Sequence, residues 1–247
     1  MTKEIEKWWE ESSKYFQEEA KIPTTSAHWG VHAPYEKELN LLGNVKGKKI
    51  LEVGCGGGQS SIALAKKGAI CTGIDISKEQ LKFAEKLAKK ENVKVKFIKG
   101  SFQNLSQFKP RSFDIVISAW AFQYSPSLNK LFKEVYRVVK KNGLFVFSLP
   151  HPFHDIINVK TYKIEKSYFK TGRYEEIEIW PDGSKHKFVG YHITVSDIYN
   201  DLVDAGFLVE RIIEPLSLKD KGLEEHYPKE LSKLIGPTII FKTRKIK

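Results

Sequence analysis

From Lys48 to Pro150 the chain alternates strand-like apolar runs with amphipathic segments at a regular beat, a pattern that few architectures accept. KKILEVGC, AICTGIDI, VKVKFIKG, FDIVISA and LFVFSLP read as strands; QSSIALAKKG, SKEQLKFAEKLAKKE and SLNKLFKEVYRVVKK between them read as helices. Strands alternating with helices of about 10–15 residues imply parallel pairing with helices on both faces. The strands are nearly continuous in Ile, Val and Phe, as strands covered on both faces must be. The expected fold class is therefore α/β, a doubly wound Rossmann-like sheet. Ser77 and Gln80 stand at capping-box spacing before the second helix.

On either side the rhythm differs. Residues 4–20 put Ile5, Trp8, Trp9, Ser12, Tyr15 and Phe16 on one helical face, which must dock on something. Pro23, Gly30 and Pro34 break the next segment into a loop that leads to a short helix ending near Gly43. Residues 151–192 are aromatic and turn-rich, with a hairpin turn expected at Pro181-Asp182-Gly183. The rhythm resumes with helix TVSDIYNDLVDAGF and strand LVERIIEP; a charged loop (216–236) then precedes a last strand, PTIIFKTRK. One domain over 1–247 is expected, with a helical lid at 1–43, a ligand-binding core at 44–150, a substrate-capping insertion at 151–192 and completion of the sheet at 193–247.

The composition, 41% hydrophobic and 12% aromatic, is that of a globular protein and excludes disorder. A net charge of +11 suits nucleic acid, but the lysines of KLAKKENVKVKFIKG are mixed with acids, as on a solvated surface. No run reaches the roughly 20 apolar residues that span a bilayer, and MTKEIEKWWEESSKYF lacks a signal peptide's apolar segment. A soluble, cytoplasmic protein away from membranes is the expectation. Cys55 and Cys71 fall at opposite ends of neighbouring strands, so free thiols are expected.

In an open α/β sheet, ligands bind beyond the carboxyl ends of the strands, where the loop ILEVGCGGGQSS lies. A dinucleotide fingerprint, G-x-G-x-x-G, counted from Gly54 requires glycine where Gln59 stands, and no Walker Gly-Lys-Ser/Thr is present. Glu52 repels a pyrophosphate and suits a cation: opposite charges about 4 Å apart attract by roughly 4 kcal/mol at surface-like dielectric, before desolvation. Asp75 closes TGID at the end of the second strand, the position from which an acid bonds ribose hydroxyls. S-adenosylmethionine has a sulfonium, an ammonium and a ribose, and no phosphate. Cys55 reads as a small packing residue within the loop.

With LEVGCGGG, GIDIS and SFDIVISAWAFQY followed by LFKEVYRVVKKNGLFVFSLPHPF in that order, residues 44–150 resemble the class I S-adenosylmethionine-dependent methyltransferases. HWGVHAPYEKELNLLG, SLPHPF and AGFLVERIIEP extend the likeness to a largely uncharacterised, small-molecule-type subgroup. The resemblance implies a seven-stranded, mostly parallel sheet with the last strand antiparallel. It also implies methyl transfer from S-adenosylmethionine, with S-adenosylhomocysteine as product. Carried over residue by residue, Glu52, Gly54, Gly56 and Gln59 would follow the methionine part, with Cys55 in the same cofactor-binding loop, and Asp75 and Ile76 would take the ribose and one edge of adenine. Ser101 or the backbone of Phe102 would meet the adenine amino group, Ser118 and Ala119 would lie beside the methyl group, and Gln123 would lie near the cofactor.

Methyl transfer is an in-line displacement that needs alignment and, for some acceptors, a base. Ser118-Ala119-Trp120-Ala121 carries no Asn/Asp-Pro-Pro-aromatic run of the kind that nucleic-acid amino-methylating enzymes use. Asp155 alone is too few oxygen ligands for a metal-dependent mechanism, so no metal is expected. All seven histidines fall outside 44–150. His151 is the first candidate for a base, followed by His154 and His32, against a structural role for each. Tyr15, Trp29, Tyr168 and Tyr191 are candidates for the walls of an acceptor pocket. The leading reading is metal-free methylation of a small molecule; RNA or protein as acceptor, and a non-catalytic cofactor-binding scaffold, remain the alternatives.

Overall fold

In the computed structural model, which describes residues 3–180, 183–216 and 227–246, the alternating stretch forms the body of one sheet. Its first five strands are β1 (Lys49–Val53), β2 (Ile70–Asp75), β3 (Lys96–Lys99), β4 (Phe113–Ala119) and β5 (Val139–Pro150). A separate antiparallel hairpin, β6 (Gly172–Ile179) and β7 (Lys185–His192), precedes β8 (Phe207–Ile213) and β9 (Thr238–Lys245), which complete the sheet. The order is β3-β2-β1-β4-β5-β9-β8; β1 to β5 pair in parallel and β9 is antiparallel to both neighbours. This is the seven-stranded arrangement with an antiparallel last strand that the motifs imply.

Helices α1 (Lys3–Ala20), α2 (Glu36–Leu39), α3 (Gln59–Lys66), α4 (Lys78–Lys90), α5 (Leu128–Val138), α6 (Val195–Asp204) and α7 (Lys229–Leu234) surround it. The period-two alternation of the strands sorts two apolar cores. Ile50, Ile115, Ile117 and Val146 pack with Leu64 and Trp29 on one face. Leu51, Val53, Val116, Phe145 and Phe147 pack with Phe132, Val135, Ile198 and Leu202 on the other. Glu52 shares the parity of Ile50, so it lies on the face that carries α3.

Three local expectations are corrected. The third helix was expected to run to Lys141 but ends at Val138, because Val139 pairs with Phe113 and the carbonyls of Arg137 and Val138 accept from Arg111 and Ser112. Sheet bonding of two fully buried valines outweighs helix extension, and Asn142, with φ +62°, turns the chain back so that Leu144 faces Ile115. Ser77 does cap α4 by accepting from the Gln80 N–H, but the Gln80 side chain accepts from Gln17 of α1 (2.7 Å). Finally, α7 lies where the sequence suggests only a charged loop, and buries Leu231 and Ser232. Pro181 and Asp182 of the expected turn, and His226, lie outside the described residues.

Candidate active site

The glycine loop after β1 does not present its amides as a phosphate cradle would. Gly54 and Cys55 donate to the Ile74 carbonyl (2.8 and 3.0 Å), Gly56 to Asp75 Oδ2 (2.8 Å) and Gly58 to the Cys55 carbonyl (2.8 Å). Positive φ angles at Gly54, Gly56 and Gly58 permit this inward curl. Glu52 occupies the helix end where an anion would bind. Its Oε2 accepts from the Ser61 N–H (2.8 Å) and hydroxyl (2.5 Å) in the first turn of α3. Burial pushes the Glu52 carboxyl up to about 7 against the lowering effect of those bonds. Its Oε1 has no protein partner among the described residues, and Glu52 lines a cavity of about 130 Å³.

Around that cavity stand Gly54, Cys55, Gly56 and Gln59 from the loop, with Asp75 and Ile76 from the end of β2. Phe102, Ala119 and Gln123 complete the set of sequence candidates that reach it. Asp75 accepts from Gly56 and Ser77 and so also holds the loop to β2; burial raises its carboxyl above the usual range. Helix α1 forms the roof, where Trp9 and Phe16 join the lining. Gln17 of α1 accepts from Gln59 (2.6 Å) and donates to Gln80, and Glu10 accepts from the N–H groups of Lys78 and Glu79 at the head of α4. A larger open groove of about 590 Å³ beside α5 shares no residue with this cavity, and its Arg137 is taken up by Glu134 and the carbonyls of Leu105 and Phe108.

Other candidates lie outside the cavity wall. Ser101 accepts from the Gln103 N–H, and the fully buried Ser118 ties β4 to the Val53 carbonyl (2.7 Å). His151 is buried with both ring nitrogens engaged: Nδ1 accepts from Phe153 and Nε2 bonds Glu214 (2.8 Å). His32 Nε2 bonds the Tyr227 carbonyl (3.0 Å). His154 is buried, its Nε2 lacks a partner, and burial lowers its pKa to about 4.

The four aromatic residues expected to wall an acceptor pocket lie outside the lining of this cavity. Tyr15 stacks on Trp180, and Trp29 is core, its indole donating to Glu36 (3.2 Å). Tyr168 stacks on Phe153 and accepts from the Val195 N–H, and Tyr191 packs against the core. Among the lining residues that sequence reading did not assign to the site are His28, Trp120 and Tyr124. Burial lowers the His28 pKa to about 4, so it stays neutral at pH 7. Trp120 has φ +51° and lies against Gly30, where an added Cβ would fall 2.0 Å from the indole nitrogen; that glycine was the one available signal.

Cys55 and Cys71 are buried and unpaired by disulfide, and burial raises both thiols, Cys71 to about 12. Neither thiol therefore reacts with a disulfide reagent in the native protein at pH 8, and both react after unfolding in guanidinium. Fast native labelling of Cys55, followed by absorbance, would contradict its enclosure.

The methyltransferase domain family matches residues 51–147, which run from β1 into β5. The chain is similar to an uncharacterized protein of Haemophilus influenzae, 30% identical over 222 residues, which cover 84% of this chain and 85% of that one. It is also 30% identical over 142 residues to a ubiquinone biosynthesis O-methyltransferase of Pseudomonas putida, covering 58% and 57% of the two chains. Among solved structures, an S-adenosylmethionine dependent methyltransferase from Mesorhizobium loti superposes with TM-score 0.65 at 23% identity, over 83% of this chain and 94% of its own, a likeness of fold. The methyltransferase domain match coincides with the strands that carry the cavity, and with the S-adenosylmethionine-dependent methyltransferases among its fold neighbours it places the chain: it belongs to the class I S-adenosylmethionine-dependent methyltransferases.

Proposed function

We propose that the protein transfers a methyl group from S-adenosylmethionine to a small-molecule acceptor by direct, metal-free displacement under a lid formed by α1 and the β6–β7 hairpin. The observation that carries this reading is the cavity at the ends of β1, β2 and β4: enclosed by α1 and lined by a buried carboxylate whose one free oxygen calls for a cation. The residues suit S-adenosylmethionine in kind. Glu52 would hold its cationic part, Asp75 the ribose hydroxyls, and Ile76 and Phe102 the flat faces of adenine. Four of the loop amides, those of Gly54, Cys55, Gly56 and Gly58, are already bonded within the protein and are not offered to a phosphate.

When bound, S-adenosylmethionine supplies an electrophilic methyl group on sulfur. The chain's own part is alignment and exclusion of water: Trp9, Phe16 and Ile22 close the mouth, and neutral His28 adds no charge against a sulfonium. Ala119, Gln123 and Tyr124 lie where β4 ends, and would flank the path of the acceptor.

The likeness to a ubiquinone biosynthesis O-methyltransferase supports a small molecule, and so do the charges around the lid. Glu6 of α1 pairs with Lys99, and Glu4 with Arg173 and Lys187, so basic groups beside the roof are already neutralised. RNA seeks unpaired cations. Tritium from labelled cofactor, added with cell extract, should appear in the metabolite fraction, with the rate unchanged by EDTA. Label in precipitated RNA or protein would replace this reading, and absence of S-adenosylhomocysteine binding by titration calorimetry would end it.

A further inference from the structure

Two aromatic runs leave the cofactor cavity. In one, Tyr124 packs on Phe188 (5.7 Å), which packs on Tyr174 (6.0 Å) of β6; Gly190 makes room, since a Cβ there would lie 2.6 Å from the Tyr174 hydroxyl. In the other, Trp120 packs on Tyr227 (5.3 Å), and Tyr227 on His154 (5.4 Å). The second run ends at His154, next to Asp155 in the short helical turn after β5, and the Asp155 charge acts on Tyr174 and Tyr227 alike.

The half-buried Asp155 side chain makes no hydrogen bond or ion pair among the described residues; its backbone N–H donates to the His151 carbonyl (3.3 Å). Burial pushes its carboxyl up to about 7. The ammonium of Lys166, the cation that acts on it, is bonded to Glu176 (2.9 Å) and lies over the Tyr174 ring. An acid in such surroundings is costly unless a cation joins it. A second observation agrees: His154 is 5% exposed, and its Nε2 is buried without a partner on the same aromatic run. Since burial keeps this ring neutral, it can accept a hydrogen bond. The tyrosine faces favour a cation over a neutral group, and the Glu176 and Glu178 charges disfavour an anion.

We propose that the methyl acceptor carries a protonated amine, held by Asp155 in the aromatic cup between Tyr174, Tyr227 and the Tyr124 end of the cofactor cavity. Lys166, Glu176 and Glu178 set the surrounding charge. This rests on the small-molecule methyltransferase reading above, and names the substrate class for it.

Three para-substituted phenols test it by calorimetry on protein loaded with S-adenosylhomocysteine: tyramine, neutral 4-ethylphenol and anionic 4-hydroxyphenylacetate. Tyramine should bind at least about tenfold more tightly than 4-ethylphenol, with the anion weakest. Asp155→Asn should abolish the preference for the amine while leaving S-adenosylhomocysteine affinity, the check on folding, unchanged. Equal binding of the three probes, preference for the anion, no measurable tyramine binding, or a preference that survives Asp155→Asn each overturns the proposal. Failure of the wild type to bind S-adenosylhomocysteine is a different result: it removes the methyltransferase reading beneath it.

Discussion

Glu52→Gln is expected to weaken S-adenosylmethionine binding by about 10- to 100-fold at pH 8, the worth of a charge-assisted contact of about 1.5–3 kcal/mol. Glutamine keeps an oxygen for the Ser61 N–H and hydroxyl, so the head of α3 survives. The pH dependence follows from the carboxyl held near 7 by burial. A cation needs the ionised form, so below pH 7 binding must first expel a proton, and affinity falls by up to about tenfold per pH unit. Above pH 7 that dependence disappears, and in Glu52→Gln it is absent throughout.

Stability of the ligand-free protein moves the other way. The folded pKa of Glu52 is raised above the unfolded one, so its contribution is fully present below pH 4.5 and is lost as pH rises through about 7. At pH 8 the ionised carboxylate therefore costs about 3 kcal/mol, and Glu52→Gln should melt higher than wild type without ligand. Calorimetric titration between pH 6 and pH 8 and ligand-free melting at pH 8 check both signs. Unchanged affinity would show that the charge has been overrated.

The second large effect is on the fold. Gly54→Ala should destabilise by about 3 kcal/mol, which combines a left-handed backbone, φ +70°, with overpacking. A Cβ at Gly54 would lie 2.4 Å from Ala121 Cβ, so the loop or the turn after β4 must shift to admit it. Urea unfolding followed by circular dichroism measures it, and a loss below about 1 kcal/mol would mean that the loop relaxes. Gly43→Ala, with φ +64° but open space around it, isolates the backbone share.

What could be read from the sequence was local. The strand beat, the cap at Ser77, Glu52 before the loop and Asp75 at the end of β2 all express themselves within a few residues of chain. The extent of α5 could not be read that way, because the partners that end it, Phe113, Arg111 and Ser112, lie some distance back along the chain. Gln80 likewise carries a capping pattern but bonds Gln17, 63 residues away. Aromatic content pointed to Tyr15, Trp29, Tyr168 and Tyr191 as walls, yet an aromatic ring that braces a lid and one that lines a cavity look alike in one dimension.

By itself, then, the order of residues determined a doubly wound sheet and a ligand loop unsuited to phosphate, since periodicity, missing glycines and an acid's charge are properties of short segments. Only the tertiary structure decided that Glu52 takes the anion's place at the head of α3, that the loop amides turn inward, and that Trp9, His28 and Tyr124 meet around one cavity. These depend on which distant surfaces bury one another, and desolvation, which raises Glu52 and Asp155 and keeps His28 and His154 neutral, arises only once they do.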